Sequence, residues 1–476
     1  MGETGASASE GLRPYDQYAA RRGLGWGQGI VVAGLGLGLA IAFLADRSLT
    51  AVLVIFTVQL GFLVSALWRV VLAIVSGGAS DSIAPPPSEG LPRYTVLVAL
   101  LDEAEVLPQL MERLAAIDYP PDRLDGFLIL EAHDYETIAA AAACPAPSWL
   151  KILVAPEPEA GPRTKPRALN CGLAASTGDL VTVYDAEDDP DPLQLREAVA
   201  RFARDRSRSL WALQAPLRIR SPDGTRRRFL DRQFAVEYAS LFEVTLPGMA
   251  RLGMPFPLGG TSNHFRADAL KAVGGWDAHN VTEDADLGFR LWRAGGRLGV
   301  LSRPTYEPPP STLADWLPQR TRWLKGFMQT WGVHTRDVRG LGLRGGLALT
   351  LTLGASLAAA SAHAVALAWV AATVALAWAA GLPPDTPPFA LGVLTVGTAA
   401  AWLSGLIGAR RAGVSYTATD MLLAPVYWSL LSLAFYHALW RLIVEPFAWD
   451  KTRHRADPQR VDGSPSIAVD AGREAA

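Results

Sequence analysis

The residues with the most chemistry to offer are acids placed at the ends of apolar runs. Glu103 follows the run at 94–101, Asp134 the run at 127–132, and the run beginning at 179 ends in Asp185-Ala186-Glu187-Asp188-Asp189. One acid in such a place caps a helix or sits in a solvated turn. Three along one edge repel unless they share a cation or a hydrogen-bonding ligand. Hard oxygen donors suit Mg2+ or Mn2+, which bridges to substrate phosphates more readily than it sits in an all-protein cage. Lys165, in KPRALN (165–170), precedes the run that delivers the acidic cluster, so its ammonium can reach the same edge and neutralise a diphosphate. Farther on, Thr282-Glu283-Asp284 opens the helical stretch LGFRLWRAG. Acids in a first turn favour the helix dipole, and the same cap would fix a carboxylate at the mouth of a cleft. In QRTRWLKGFMQTW (319–331), Gln319, Arg322 and Trp323 stand at i, i+3 and i+4 and share one helix face. Trp323, Phe327 and Trp331 make an apolar stripe that fits a helix lying at the lipid headgroups. Pro318, lacking an N–H, predicts a helix start or kink just before the motif.

Positioning these groups takes a sheet. Between 93 and 300, short β-rich apolar runs at 94–101, 127–132, 149–155 and 179–186 alternate with helical patterns such as 103–117. Continuous apolar strands alternating with helices imply a parallel sheet covered on both faces. In open sheets of this kind ligands bind beyond the carboxyl ends of the strands, which is where the acids stand. No G-x-G-x-x-G follows the first strand, so a nicotinamide-dependent enzyme does not fit.

The rest of the chain belongs to a bilayer. Half of the 476 residues are hydrophobic and 19% are charged, with mean hydropathy +0.17. The net charge of −2 suggests no nucleic-acid partner, and Cys144 and Cys171 form neither a disulfide framework nor a metal spacing. Residues 23–45, 48–68, 345–384, 386–409 and 421–440 contain no Asp, Glu, Lys or Arg. A bilayer core takes roughly 20 apolar residues per helix. Four of these runs are single spans, and 345–384 is long enough for a hairpin turning at 361–364, so about six spans are expected. The first run lies too far in, and too close to a second, to be a cleaved signal. The expected organisation is two spans in 1–80, a cytosolic α/β domain at 81–309, amphipathic interface helices at 310–343, about four spans in 344–445 and a cytosolic tail at 446–476. Arg13, Arg21 and Arg22 before the first span, with Arg441, Lys451, Arg453 and Arg455 after the last, place both ends and the middle in the cytoplasm, at the plasma (inner) membrane. Six spans would leave Arg410 and Arg411 outside, against that rule.

Four motifs in this order, flanked by apolar spans, resemble membrane-embedded family 2 glycosyltransferases of the GT-A fold, the group of cellulose, hyaluronan and related β-glycan synthases. KPRALN matches K-x-x-x-L-N, DAEDD resembles the D-x-D region, VTEDADLGFR (281–290) contains T-E-D, and QRTRW fits Q-x-x-R-W. The resemblance implies a Rossmann-like nucleotide-sugar-binding domain inserted between transmembrane helices. It assigns Glu103, Asp134, Lys165 and Arg322 to the donor nucleotide, and Asp185 and Glu187 to Mg2+ or Mn2+, with Asp185 also facing the donor. Asp284, beside Glu283, is implied as the base that deprotonates the acceptor hydroxyl. Gln319 and Trp323, with Gly260, Thr261 and Ser262 of GGTSNHF (259–265), are implied in acceptor binding. FAWDKTRH (447–454) resembles a nucleotide-covering loop, with Trp449, Lys451 and Thr452 near the diphosphate. The chain departs from the pattern at 99–103, at Glu187 in place of the second Asp, and at His133. The implied activity is inverting transfer from a UDP-sugar, by default UDP-glucose, to a growing β-glycan secreted through the protein's own helices. The alternative is a non-processive transferase that glycosylates a membrane lipid.

Overall fold

The computed structural model describes residues 18–77, 90–158, 161–220, 228–310, 312–383 and 387–448. Two apolar helices come first, α1 (Trp26–Ala45) and α2 (Arg47–Val75). The polar middle follows as β1 (Tyr94–Leu100), α3 (Leu107–Ala115), β2 (Leu124–Glu131), α4 (Tyr135–Ala143), β3 (Leu150–Ala155), α5 (Lys165–Ala175) and β4 (Leu180–Tyr184). It continues through β5 (Asp189–Pro190), α6 (Gln194–Arg204), β6 (Leu210–Gln214), β7 (Leu217–Ile219), α7 (Phe229–Ser240) and α8 (Leu246–Arg251). Then come β8 (Asn263–Arg266), α9 (Ala267–Ala272), α10 (Glu283–Arg293), β9 (Arg297–Val300), β10 (Thr305–Glu307) and α11 (Leu313–Thr335). The remainder is helical: α12 (Gly342–Leu349), α13 (Ala355–Ala379), α14 (Pro388–Ala412) and α15 (Ala418–Val444).

The main sheet has seven strands in the order β3-β2-β1-β4-β8-β6-β9. β1 to β4 are parallel, as their unbroken apolar character requires. β8, however, runs antiparallel between β4 and β6, so the sheet is mixed. NHFR carries Asn263 and His264 in the strand, and the buried imidazole finds two internal partners: His264 bonds Tyr94 Oη at 2.6 Å through Nδ1 and Gln194 at 3.0 Å through Nε2. Strand alternation feeds two cores. Leu97, Ile129 and Val183 pack with α5 and α10 on one face, while Val96, Val98, Leu128 and Leu130 pack with α3 and α6 on the other. A three-stranded sheet, β5-β10-β7, lies beside the site edge.

Five stretches are long and apolar enough to cross a membrane: α1, α2, residues 339–379, α14 and α15. The expected hairpin at 361–364 does not form. Ser361, Ala362, His363 and Ala364 include no Gly or Pro, and their polar groups are satisfied in place: Tyr436 Oη donates to Ser361 O at 2.8 Å and Ala364 N to Ser432 Oγ at 3.1 Å. Arg339–Ala379 is instead one helical stretch of 41 residues, with a π-helical turn at Thr350–Gly354. Arg411 shows why a six-span count strains the loop charges. Its guanidinium donates to Ser76 Oγ at 2.9 Å and to Glu243 O at 2.6 Å, and also bonds Gly77 O. A cation thus caps the C-terminal end of α2, where the chain enters the α/β domain, and Arg411 lies on that domain's side.

Candidate active site

Each acid in the strand-edge series has a local reason to be where it is. Asp134 caps α4, its Oδ1 accepting from Thr137 N at 3.1 Å, while Oδ2 accepts from Asp102 N at 2.6 Å. Asp102 is held at φ +48°, a conformation costly for a residue with a Cβ. Glu103, 4% exposed, donates its N–H to Thr137 Oγ1 at 3.0 Å. The turns after β1 and β2 are therefore locked together, and Glu103 and Asp134 share one corner.

The DAEDD turn folds on itself. Asp185 N donates to Asp188 Oδ2 at 2.8 Å, and the Thr261 hydroxyl bonds the same oxygen. Asp188 is fully buried, and its Oδ1 has no hydrogen-bond partner among the described residues; the same holds for Glu307 Oε1. Burial first, then Asp185 and Glu187, push the Asp188 carboxyl well above its ordinary range. Glu307 is raised by burial and by Asp188, Glu187 and Asp185, with Lys165 opposing. Carboxylates with vacant oxygens and one opposing cation fit a divalent metal. Among the described residues no three His, Cys, Asp or Glu side chains form a ready-made cage, so substrate oxygens must complete any coordination.

Lys165 joins three motifs. As the first residue of α5 it bonds the Asp185 carboxylate and donates to Gly260 O at 2.9 Å. Burial works against its charge, but Asp185, Glu283 and Glu187 outweigh it and raise the pKa above the ordinary lysine value. Glu283 and Asp284 occupy the first turn of α10 behind the N-cap Thr282. Asp284 Oδ1 accepts from Ala285 N at 2.8 Å, and its Oδ2 lies 3.4 Å from where a Cβ on Gly260 would stand. Burial raises Asp284, while the Ala285 N–H, Lys165 and Arg322 oppose the rise. Glu283, 3% exposed, is pushed up to about 8 by burial and by Asp284, against Lys165 and Arg322. Lys165, Asp185, Gly260, Glu283, Asp284 and Arg322 thus converge, with Thr261 one residue away on Asp188; Ser262 is buried behind them, its Oγ 2.6 Å from Thr305 Oγ1.

The helix carrying Gln319, Arg322 and Trp323 differs from its expected form. α11 begins at Leu313, capped by Thr312, and Pro318 lies inside it. The aromatic stripe meets protein instead of headgroups: Trp323 packs on Phe234 and Tyr238 with centroids 6.3 and 6.1 Å away, and Trp331 covers Gly354. Arg322 reaches Val281 O at 3.5 Å, a weak bond. Gln319 Oε1 is buried without a hydrogen-bond partner among the described residues. Arg320, within the motif but not singled out from the sequence, lies 4.5 Å from the Trp323 ring centroid. It donates to Glu237 Oε1 at 2.7 Å and to Tyr427 Oη at 3.0 Å. Glu307 was legible by the rule that exposed Glu103, since it ends the short run TYE; Arg320, Glu237 and Tyr427 meet only in three dimensions. Lys451, Thr452 and Trp449 lie outside the described residues.

α11 also sets the position of the acid pair. Gln329 Oε1 accepts from Val281 N and Thr330 Oγ1 from Asn280 Nδ2, both at 3.0 Å. A Cβ on Gly326 would stand 2.3 Å from Thr282 Oγ1. Gly326→Ala therefore displaces the cap of α10. We expect turnover to fall about 100-fold, the scale of a misplaced reacting group, with nucleotide affinity unchanged by calorimetry.

Comparison with known proteins places this arrangement. Residues 180–383 match the model described as glycosyl transferase family group 2. A beta-monoglucosyldiacylglycerol synthase of Synechocystis is 29% identical over 260 residues, 53% of this chain and 52% of that protein. The cellulose synthase 1 catalytic subunit of Komagataeibacter xylinus is 26% identical over 267 residues, 55% of this chain and 34% of that protein. The chain spans about half the length of the first curated relatives it matches. A mannosyltransferase of Pyrobaculum calidifontis, solved with GDP-Man and Mn2+, superposes with TM-score 0.52 at 19% identity, over 85% of this chain and 98% of that one. The match over residues 180–383 and the GT-A-like mixed sheet agree: this part of the chain is similar to family 2 glycosyltransferases in sequence and to a GT-A enzyme in fold, and long apolar helices flank it.

Proposed function

We propose that the protein transfers one or a few sugars from a nucleoside diphosphate sugar, by default UDP-glucose, to a hydroxyl of a membrane lipid, with inversion. Asp284 takes the proton of the acceptor hydroxyl as its oxygen attacks the anomeric carbon. The bond from that carbon to the phosphate oxygen breaks, and the nucleoside diphosphate leaves beside Lys165. Asp185 and Glu187, backed by Asp188 and Glu307, would hold Mg2+ or Mn2+, as the vacant buried oxygens favour. Such an ion supplies charge neutralisation of the departing diphosphate. Gly260 and Thr261 line the acceptor side opposite Asp284, and Trp323 offers a ring face to a sugar.

The observation that favours a lipid acceptor over a secreted polymer is how little the apolar helices enclose. α1 buries none of its residues and α13 buries Ala360 alone, whereas a secreted glycan needs a ring of helices with a polar interior. Of the relatives, one is named for a monoglucosyldiacylglycerol product and another for cellulose synthesis. Purified protein given radiolabelled UDP-glucose, Mn2+ and mixed diacylglycerol–phospholipid micelles tests the choice. Label in a chloroform-soluble glycolipid supports it; label in an alkali-insoluble polymer, with none in lipid, overturns it in favour of β-glycan synthesis.

A further inference from the structure

α2 carries an arginine where its packing calls for an apolar residue. Ala66, Leu72, Ala73 and Ser76 are buried, and they stand at i−3, i+3, i+4 and i+7 from Arg69. Arg69 therefore lies at the centre of the face that α2 turns toward the protein. Leu67, Val71 and Ile74, 51, 39 and 73% exposed, mark the opposite, lipid-facing side. Arg69 is nevertheless exposed. Protein does not close over it, so the inward face of α2 opens onto a space at this level.

That space borders the acceptor side of the site. The electrostatic partner of Arg69 is Glu237 of α7, although among the described residues the two are not in ion-pair contact. Glu237 is likewise open amid closed neighbours: its side chain is 36% exposed between the buried Phe234 and Tyr238. Its carboxylate is already matched, since Arg320 donates to Oε1 at 2.7 Å and Tyr427 to Oε2 at 2.5 Å. Arg320 in turn lies against Trp323, which packs on Phe234 and Tyr238. Of the three charges one is left over, and it is that of Arg69. The unused polar atoms nearby are donors too: Trp68 Nε1 and Arg320 Nε are buried without a hydrogen-bond partner among the described residues.

Depth points to the ligand. Arg69 follows Arg47, the first residue of α2, by roughly 33 Å of helix, just over the roughly 30 Å hydrocarbon core. The domain end of α2, where Arg251 Nη1 donates to Val75 O at 3.2 Å, is about 9 Å farther on. Arg69 thus stands at the phosphate layer of the leaflet that adjoins the α/β domain. An ionisable residue on a bilayer helix is costly and marks function. An arginine that only anchored the helix would reach headgroups from the side of Leu67 and Val71; this one turns toward Glu237 and Trp323. A guanidinium matches phosphate through paired N–H donors. We propose that Arg69 receives the phosphate of an anionic lipid headgroup, which enters from the adjoining leaflet between α2 and α7 and lies beside Trp323. Resting on the lipid-acceptor reading above, this makes the acceptor a lipid whose headgroup joins a phosphate to a free hydroxyl. Arg69 holds the phosphate, and the hydroxyl extends toward Asp284.

The test reads binding first and turnover second. The purified full chain in neutral detergent is titrated with short-chain phosphatidylglycerol and with diacylglycerol of the same chains, while UDP binding checks the fold. Phosphatidylglycerol is expected to bind once per chain and more tightly than diacylglycerol. Arg69→Gln weakens it about 10- to 100-fold, the scale of a hydrogen bond to a charged group. Arg69→Lys restores part of the loss, and UDP affinity stays within a few-fold. Phosphatidylglycerol affinity equal in wild type and Arg69→Gln overturns the inference. Radiolabelled UDP-glucose then separates the site from the reading it rests on. Label in phosphatidylglycerol, lost in Arg69→Gln, supports both. Phosphatidylglycerol that binds through Arg69 but stays unlabelled keeps the phosphate site and overturns its role as acceptor. Label in diacylglycerol alone, at the same rate in Arg69→Gln, overturns the site and keeps the lipid-acceptor reading.

Discussion

Asp284→Asn lowers kcat by about 1,000-fold, within the usual range for loss of a general base, and leaves nucleotide affinity within a few-fold of wild type. The amide is nearly isosteric and keeps the oxygen that accepts from Ala285 N, so α10 keeps its first turn. What is lost is the carboxylate proposed to take the hydroxyl proton. Single-turnover transfer, with calorimetry for the nucleotide, separates the two effects; transfer within tenfold of wild type removes Asp284 from the chemistry. The wild-type pH profile carries a further sign. Both Glu283 and Asp284 are raised, Glu283 to about 8, and a base acts only when ionised. Therefore kcat/KM climbs with pH above the ordinary carboxylate range and levels off only once the raised pair has ionised, the apparent value belonging to the pair. Glu283→Gln removes one charge of that pair and moves the limb to lower pH.

Lys165→Met raises the KM for the donor about 100-fold, the scale of removing one partner from a hydrogen-bonded charge pair. The Lys165 side chain is 16% exposed and is the ammonium that opposes Asp185, Glu187 and Glu307. A second readout separates charge from scaffolding. Without the ammonium, the carboxylates bind Mn2+ more tightly in the absence of nucleotide, and calorimetry measures this directly. Lys165→Arg restores donor affinity in part. If Lys165→Met leaves both donor and Mn2+ affinity unchanged, the lysine only holds α5 to the Gly260 loop.

What the sequence made legible was local. β1, β2 and β4 appear as apolar runs because each is buried on both faces, edge strand β3 less so, and Glu103, Asp134 and Asp185 follow strands because strand ends deliver side chains to one edge. Glu283 and Asp284 announce themselves by their cap. The antiparallel course of β8 was not legible, since NHFR is four polar and aromatic residues whose partners, Tyr94 and Gln194, are far away in the chain. Arg320 escaped for a similar reason: its environment is Phe234, Glu237 and Tyr427, drawn from two other helices. Hydropathy offered a hairpin that does not form because it registers composition and not direction: residues 361–364 continue one helix although the run is long enough for two.

The uninterrupted stretch Arg339–Ala379 carries a mechanical consequence. Its 41 residues extend roughly 60 Å, about twice the hydrocarbon thickness. The near half is clamped to the domain, through Trp292 at Leu341 and Trp331 at Gly354. A strut built this way fixes the elevation of the catalytic cleft above the lipid, so that thinning the bilayer tilts the whole domain with the strut. For the proposed lipid acceptor, that angle would set which hydroxyls come level with Asp284.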